Sequence, residues 1–456
     1  MTRMPGRRIV LATIGSLGDL HPMLALGTEL ASRGHAVAVA STPFYRERVL
    51  AHGFHFHPLR PDWDPSDGAM IARCQEMRRG PEVLFREMVL PHLGDTYADL
   101  EAAAAEADLM LAGELVFAAP LVAEKRALPW ASVILSPTSF FSVHDPSLLV
   151  NLPAAYRLRR AGPLINRVLL ETGKVVARHW WAPVRELRRE LGLRVECDPV
   201  FRDKFAQGLV LALFSKVLAL PQPDWPRQTI QPGFLFYEES LRSEEVRNNG
   251  RAKETSQDAA IAERLREFFA AGSPPLVFTQ GSTAVHHPGS FYETSIAAAR
   301  KLGQRALVIG ARIETDENHL LADRLLAVPY APYAQVFPKA AVVVHQGGSG
   351  TTAQALRAGV PQLIVPFGWD QPDNAARVAR LGAGLTLART DYTPASAADA
   401  LGRLLSVGRF RIAAEGARKE IQQEAALAEA CDAIEALLSR QPSRSSGPLS
   451  EPVLRA

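Results

Sequence analysis

The stretch Val342-Val343-Val344-His345-Gln346-Gly347-Gly348-Ser349-Gly350-Thr351-Thr352 runs from an apolar segment through a histidine, three glycines and hydroxyl side chains into a helix-like pattern. Those residue types in that order suit the holding of a phosphate. Glycines let the backbone approach an anion, free N–H groups and the dipole at a helix start favour negative charge, and Ser or Thr hydroxyls add donors. His345 can donate to a phosphate oxygen and stabilise a departing diphosphate. A merely tight strand-to-helix turn needs one glycine and leaves the others without a purpose. No carboxylate cluster suited to Mg2+ lies nearby, so no metal is expected and these donors must supply the charge stabilisation.

A second segment, Val365-Pro366-Phe367-Gly368-Trp369-Asp370-Gln371-Pro372-Asp373-Asn374, follows another apolar run. Asp370 and Gln371 at the carboxyl end of a strand can hold two sugar hydroxyls, one by carboxylate acceptance and one by amide donation. A helix cap at Asp370 is compatible with that role. Near the start, Gly15-Ser16-Leu17-Gly18-Asp19-Leu20-His21-Pro22 places a glycine turn after the first apolar run, and Met23 to Ala31 reads as the helix beyond it. Ligands bind at such turns in parallel sheets. It is not the G-x-G-x-x-G dinucleotide fingerprint, because Asp19 follows Gly15 and Gly18, and its charge would repel a pyrophosphate. Asp19 is either an N-cap or a carboxylate in a cleft that takes a proton from an acceptor hydroxyl. His21 and His35 carry a similar ambiguity between structural and functional roles.

The elements that must position these residues are legible as apolar, β-branched runs alternating with longer amphipathic stretches. Ile9 to Ile14, Ala36 to Ala40, Leu109 to Ala112, Trp130 to Leu135 and Leu209 to Leu213 form one series. Leu276 to Thr279, Ala306 to Ile309, Ala341 to Val344 and Gln362 to Val365 form a second, with helical stretches such as Phe291 to Leu302 and Thr352 to Ala358 between them. This is an α/β protein in which a doubly wound parallel-sheet domain is built twice. The polar stretch from Leu241 to Ala260 reads as a linker or surface loop. The Ser-, Pro- and Arg-rich end after Arg440 reads as disordered.

With 456 residues, 47% hydrophobic and 22% charged, the sequence is long enough for two cores. A net charge of +3 from 51 basic and 48 acidic residues, without a block of like charges, argues against nucleic acid as a partner. Cys74, Cys197 and Cys431 are too far apart for a metal-ligand spacing or a disulfide framework and fit a reducing cytoplasm. The apolar run ending at Ile14 is too short for a signal h-region or a spanning segment, so neither export nor anchoring is expected. Tyr156 to Leu191 carries many Arg residues beside Trp180 and Trp181. It could lie on an anionic membrane surface, a possible peripheral contact, but an ordinary helix pair with a solvated basic face near the acceptor pocket is the preferred reading.

From His345 to Asn374 the sequence resembles the donor-binding signature of the nucleoside-diphosphate-sugar glycosyltransferases of the GT-B fold, the group containing the UDP-glycosyltransferases. Ala358-Gly359-Val360-Pro361, Pro366, Asp370-Gln371 and Asn374 carry the match. Gly15-Ser16-x-Gly18-Asp19-x-x-Pro22 is similar to the opening of sterol glucosyltransferases, glycopeptide glycosyltransferases and B-subunit rhamnosyltransferases. Plant relatives have a catalytic histidine at the position of Asp19, which favours the base reading. Pro275 to Thr283, Tyr330-Ala331-Pro332 and Val133 to Thr138 resemble the B-subunit rhamnosyltransferase of bacterial rhamnolipid synthesis, implying a dTDP-L-rhamnose donor and a lipid hydroxy acid acceptor.

The resemblance implies two Rossmann-like domains facing a cleft: residues 1–220 for the acceptor, a linker over 221–260, and 261–410 for the nucleotide sugar. A helical region over 411–438 would pack back on the first domain, before a tail over 439–456. The implied donor site comprises Gly18, Gly281, Ser282, Tyr330, His345, Gly347, Gly348, Ser349, Gly350, Thr351, Gln354, Asp370 and Gln371. Tyr330 replaces the Trp that stacks on uracil in plant enzymes and Gln354 stands where a Glu holds ribose, so UDP- and dTDP-sugars both remain open. Glu114 stands where those enzymes have an Asp, and either raises the pKa of Asp19 or is a bystander.

The expected reaction is an inverting, metal-independent transfer of a hexose, glucose or rhamnose, to a hydroxyl of a small lipophilic acceptor. Asp19 would be the base and His345 would assist the leaving diphosphate. His21, Ser136, Thr138, Phe140 and Phe141 would bound the acceptor. The alternatives are a sugar-nucleotide epimerase of the same architecture and a non-catalytic, nucleotide-binding partner of another transferase.

Overall fold

The computed structural model describes residues 6–64, 67–76, 79–148, 158–237, 252–281, 288–310 and 324–440. Ser282, residues 238–251 of the linker and residues 441–456 of the tail lie outside them.

The first domain is a seven-stranded sheet of order β3-β2-β1-β4-β5-β6-β7. Its strands are β1 (Arg8–Ala12), β2 (Ala36–Ser41), β3 (His55–Pro58), β4 (Leu109–Gly113), β5 (Trp130–Ile134), β6 (Leu209–Ala212) and β7 (Thr229–Ile230). The second is six-stranded, of order β10-β9-β8-β11-β12-β13. It holds β8 (Leu276–Thr279), β9 (Ala306–Ile309), β10 (Leu325–Val328), β11 (Val342–His345), β12 (Gln362–Ile364) and β13 (Gly384–Thr386). All pairings are parallel, and the central strands are buried along their whole length because helices cover both faces.

Each sheet reverses its strand order once, between β1 and β4 and between β8 and β11. Such switch points leave a crevice at the carboxyl ends of the strands. Asp19 follows β1 and Glu114 follows β4; Gly281 follows β8 and the glycine-rich turn follows β11. The topology thus gathers four segments far apart in sequence.

Several boundaries differ from the sequence expectation. The first helix spans Leu17–Ser32, so Gly18, Asp19 and His21 belong to its first turns. The helix Ala252–Ala270 begins inside the polar stretch expected to be linker. The terminal helical region is two helices, Gly408–Ile421 and Ala426–Ser439. The first shares a core with Leu356, Ile364 and Val378 of the second domain. The other buries Ala430, Cys431, Ile434, Leu437 and Leu438 against β-strand and helix residues of the first, among them Leu26, Leu30 and Leu209.

The two domains also share apolar packing, in which Phe214, Trp225 and Phe234 meet Leu356, Ile364 and Ala375. A polar bolt adds direction to it. Buried Asp373 accepts from Thr138 Oγ1 at 3.0 Å, Leu148 N at 2.8 Å and Arg377 Nε at 2.6 Å, and Arg377 also pairs with Asp145.

Candidate active site

Between the sheets lies a cleft of about 1310 Å³. Its lining includes Gly15 to Asp19, His21, Glu114, Ser136, Thr138 and Phe141 from one side, and Gly281, Tyr330, Gly348 to Thr351, Gln354, Asp370 and Gln371 from the other.

Asp19 is set by a capping box. Ser16 is the N-cap, with its Oγ accepting from Gly18 N, and Asp19 at the third helical position accepts the Ser16 N–H at 2.8 Å. The cap and base readings therefore do not compete: Ser16 caps, while Asp19 closes the box and still faces the cleft. Burial raises its carboxyl pKa to about 7; the Ser16 N–H opposes this, and the charges of Glu114 and Asp370 add to it. Glu114 is held by Ser139 Oγ at 2.8 Å and Lys204 Nζ at 3.1 Å. Lys204 is itself buried between the rings of Phe141 and Phe205, and burial lowers its pKa.

Opposite Asp19, the helix Ser349–Ala358 starts at Gly348 with no side-chain cap. The N–H groups of its first turn lack intrahelical acceptors, and Ser349, Gly350 and Thr351 line the cleft. That is an anion site in the making. Asp370 accepts from Ser349 Oγ at 2.7 Å and Asn374 Nδ2 at 2.8 Å, and burial raises its pKa to about 6. Gln371 spends its amide oxygen on Phe367 N and Gly368 N, which leaves its amide nitrogen as the donor for a ligand.

His345 is placed differently from the sequence expectation. It is fully buried and absent from the cleft lining. Gly347 N donates to its Nδ1 at 3.0 Å and its Nε2 lies 2.8 Å from Gln362 Oε1. Burial lowers its pKa to about 4, so the ring is neutral. With both nitrogens occupied and no charge, it shapes the glycine turn instead of donating to a phosphate. Gly347 also stands behind the lining, at φ +96° with Ile364 and Gln371 close against it. Phe140 is a second correction: it stacks on Trp225 at 4.1 Å in the core, while its neighbour Phe141, at φ 48°, turns into the cleft. Thr138 lines the cleft but commits its hydroxyl to Asp373. His21 stacks on Tyr237 at 4.6 Å.

Other cleft residues carry no signal in isolation. Gln346 is buried with its side-chain oxygen unpartnered among the described residues. Trp369, at φ 56°, packs with Trp63, Met70, Cys74 and Met88 of the first domain while its neighbour Asp370 faces the donor side. Leu84, Phe85, Phe117, Leu170 and Trp181 complete a deep apolar wall. Only the position of Gln346 inside the glycine-rich run could have marked it; the aromatic wall draws on distant segments of ordinary hydrophobic composition.

Two parallel-sheet domains with an uncapped helix start facing Asp19 and Glu114 across a cleft are the architecture of an enzyme acting on a nucleotide sugar. Residues 9–140 match the glycosyltransferase family 28 N-terminal domain and residues 306–437 the erythromycin biosynthesis protein CIII-like C-terminal domain. The protein is 32% identical over 82% of its length to O-mycaminosyltylonolide 6-deoxyallosyltransferase of Streptomyces fradiae, covering 84% of that protein. In fold it is similar to the kitacinnamycin glycosyltransferase (TM-score 0.68, 21% identity, 95% of this protein and 100% of that one). It is likewise similar to glycosyltransferase VinC in complex with dTDP (TM-score 0.62, 23% identity, 95% and 100%). The protein belongs to the GT-B glycosyltransferases with a family 28 N-terminal and an EryCIII-like C-terminal domain, enzymes that use nucleotide-sugar donors.

Proposed function

We propose that this enzyme moves a hexose, with inversion, from a UDP- or dTDP-sugar to a hydroxyl of a small lipophilic acceptor. The observation that carries the reading is the facing of Asp19 and the uncapped Ser349–Thr351 helix start across one cleft. Asp19 takes the acceptor hydroxyl proton, the alkoxide oxygen bonds to the anomeric carbon, and the bond from that carbon to the phosphate oxygen breaks with its electrons on the diphosphate. The first-turn N–H groups of the Ser349–Ala358 helix receive that charge, so transfer is expected to persist with a chelator present.

Asp370 and the Gln371 amide nitrogen hold the sugar, and Tyr330 with Gln354 lie by the nucleoside. The relative's 6-deoxyallosyl donor and the dTDP bound by the VinC structure favour a 6-deoxyhexose on dTDP, so rhamnose is the donor sugar we favour over glucose. Phe85, Phe117, Phe141 and Trp181 favour a lipophilic acceptor over a free sugar. The three cysteines are free, as suits the cytoplasm, the compartment we assign.

The test is a matrix of UDP- and dTDP-sugars against a sterol, a phenol, a macrolide, a hydroxyalkanoate and a free sugar, read by mass spectrometry of product with chelator and with added divalent metal. dTDP-linked deoxysugars on lipophilic alcohols are expected to give product. Product only with polar sugar acceptors, or only with added metal, would overturn the assignment.

A further inference from the structure

The helix Pro163–Ala177 at the cleft mouth buries only Asn166. Leu164, Val168, Val175 and Val176 are between 63% and 79% exposed, and Ile165 and Leu169 also stand in solvent. At about 3.6 residues per turn these six side chains fall on one face of the helix. A soluble surface helix would turn that face inward. Here the inward side is instead the cavity wall: Leu170, Gly173 and Ala177 line the cleft, and Leu169 and Val176 belong to both the exposed face and the lining.

Basic side chains adjoin this helix, Arg167 on it, Arg160 and Arg178 beside its two ends and Arg185 on the helix that follows. Arg160, Arg167, Arg178 and Arg185 have no acidic partner among the described residues, while Glu171 pairs with Lys174 and Glu186 with Arg189. We propose that the exposed face of the Pro163–Ala177 helix docks on an anionic lipid bilayer, and that an acceptor dissolved in the bilayer passes along Leu169 and Val176 into the cavity. The apolar face enters the acyl boundary while the arginines meet lipid phosphates. A second copy is the poorer occupant, because pairing two such faces brings their arginines together. The acceptor route rests on the glycosyl-transfer reading; the docking itself does not.

The experiment is co-sedimentation of the full-length protein with phosphatidylcholine vesicles, with and without phosphatidylglycerol, at low and raised salt. The comparison is the double variant Val168→Glu with Val175→Glu, two exposed positions outside the cleft lining. The parent is expected to bind the anionic vesicles, more weakly at raised salt, and the variant about tenfold less or worse. The variant's circular dichroism and transfer to a water-soluble acceptor are expected to match the parent's. Its transfer to a vesicle-embedded acceptor is expected to fall. Failure of the parent to bind, equal binding by the variant, or a dimer that the variant abolishes without vesicle binding would each overturn the proposal. Absence of transfer to any soluble acceptor, with vesicle binding intact, would instead sink only the acceptor route and the reading beneath it.

Discussion

A carboxylic acid walled in with two other carboxylates keeps its proton to higher pH than one in water, and Asp19 has that position beside Glu114 and Asp370. As a base it must be ionised, so kcat/KM is expected to fall as pH drops through about 7, measured with an acceptor that does not titrate there. Replacing Glu114 by Gln removes one of the charges that raises this pKa and leaves Lys204 nearby, so the acid limb of the profile moves to lower pH. Asp19→Asn keeps an oxygen for the Ser16 N–H and loses the base, and a drop in kcat of ~10²- to 10⁴-fold is expected. Its thermal stability should not fall. The folded pKa lies above the ordinary 3.8, so ionising Asp19 works against the fold from about pH 4 upward and fully so above about 7, and the amide removes that penalty. Asp19 is legible only as a candidate: its type and turn leave cap and base open, and the family resemblance favours the base. Its tuning is not legible, since Lys204 lies 90 residues from Glu114 and only the fold joins them.

At the scale of elements, nine strands are readable because a strand covered on both faces must be largely apolar, as Val342 to Val344 and Leu276 to Phe278 are. The four that escape notice are β3, β7, β10 and β13, at the sheet edges, where burial is partial and residues such as exposed His55 break the pattern. The first helix reads as starting six residues late because Gly18 and Pro22 look like breakers, whereas the Ser16–Asp19 box starts it at Leu17. The glycine-rich turn depends on the same kind of local detail. At Gly347 a β-carbon would come within 2.8 Å of Ile364 Cγ2 and 3.0 Å of the Gln371 carbonyl, at a positive φ. Gly347→Ala is expected to cost about 1–2 kcal/mol from backbone alone. It should also displace the helix start, and a loss of about 1.4 kcal/mol there would read as a tenfold weaker nucleotide Kd by calorimetry.

For the whole molecule, the Arg377 cluster fixes how the halves meet. Arg377 and Asp373 are almost completely buried, and the pair reaches Asp145, Thr138 and Leu148 of the other half. Arg377→Met leaves Asp373 charged without its cation, and chemical denaturation is expected to show a loss of about 3–5 kcal/mol. No sequence pattern announces this bolt, because the Asp373–Arg377 pair meets its partners in the first domain more than 200 positions away. The closing helix has a practical consequence for anyone recombining these enzymes. A chimera cut at the linker between two relatives inherits its last helix from the wrong parent, so Ala430, Cys431, Ile434, Leu437 and Leu438 meet an unfamiliar first domain. A functional hybrid needs three segments instead of two, with residues 426–439 travelling alongside the amino-terminal half they cover.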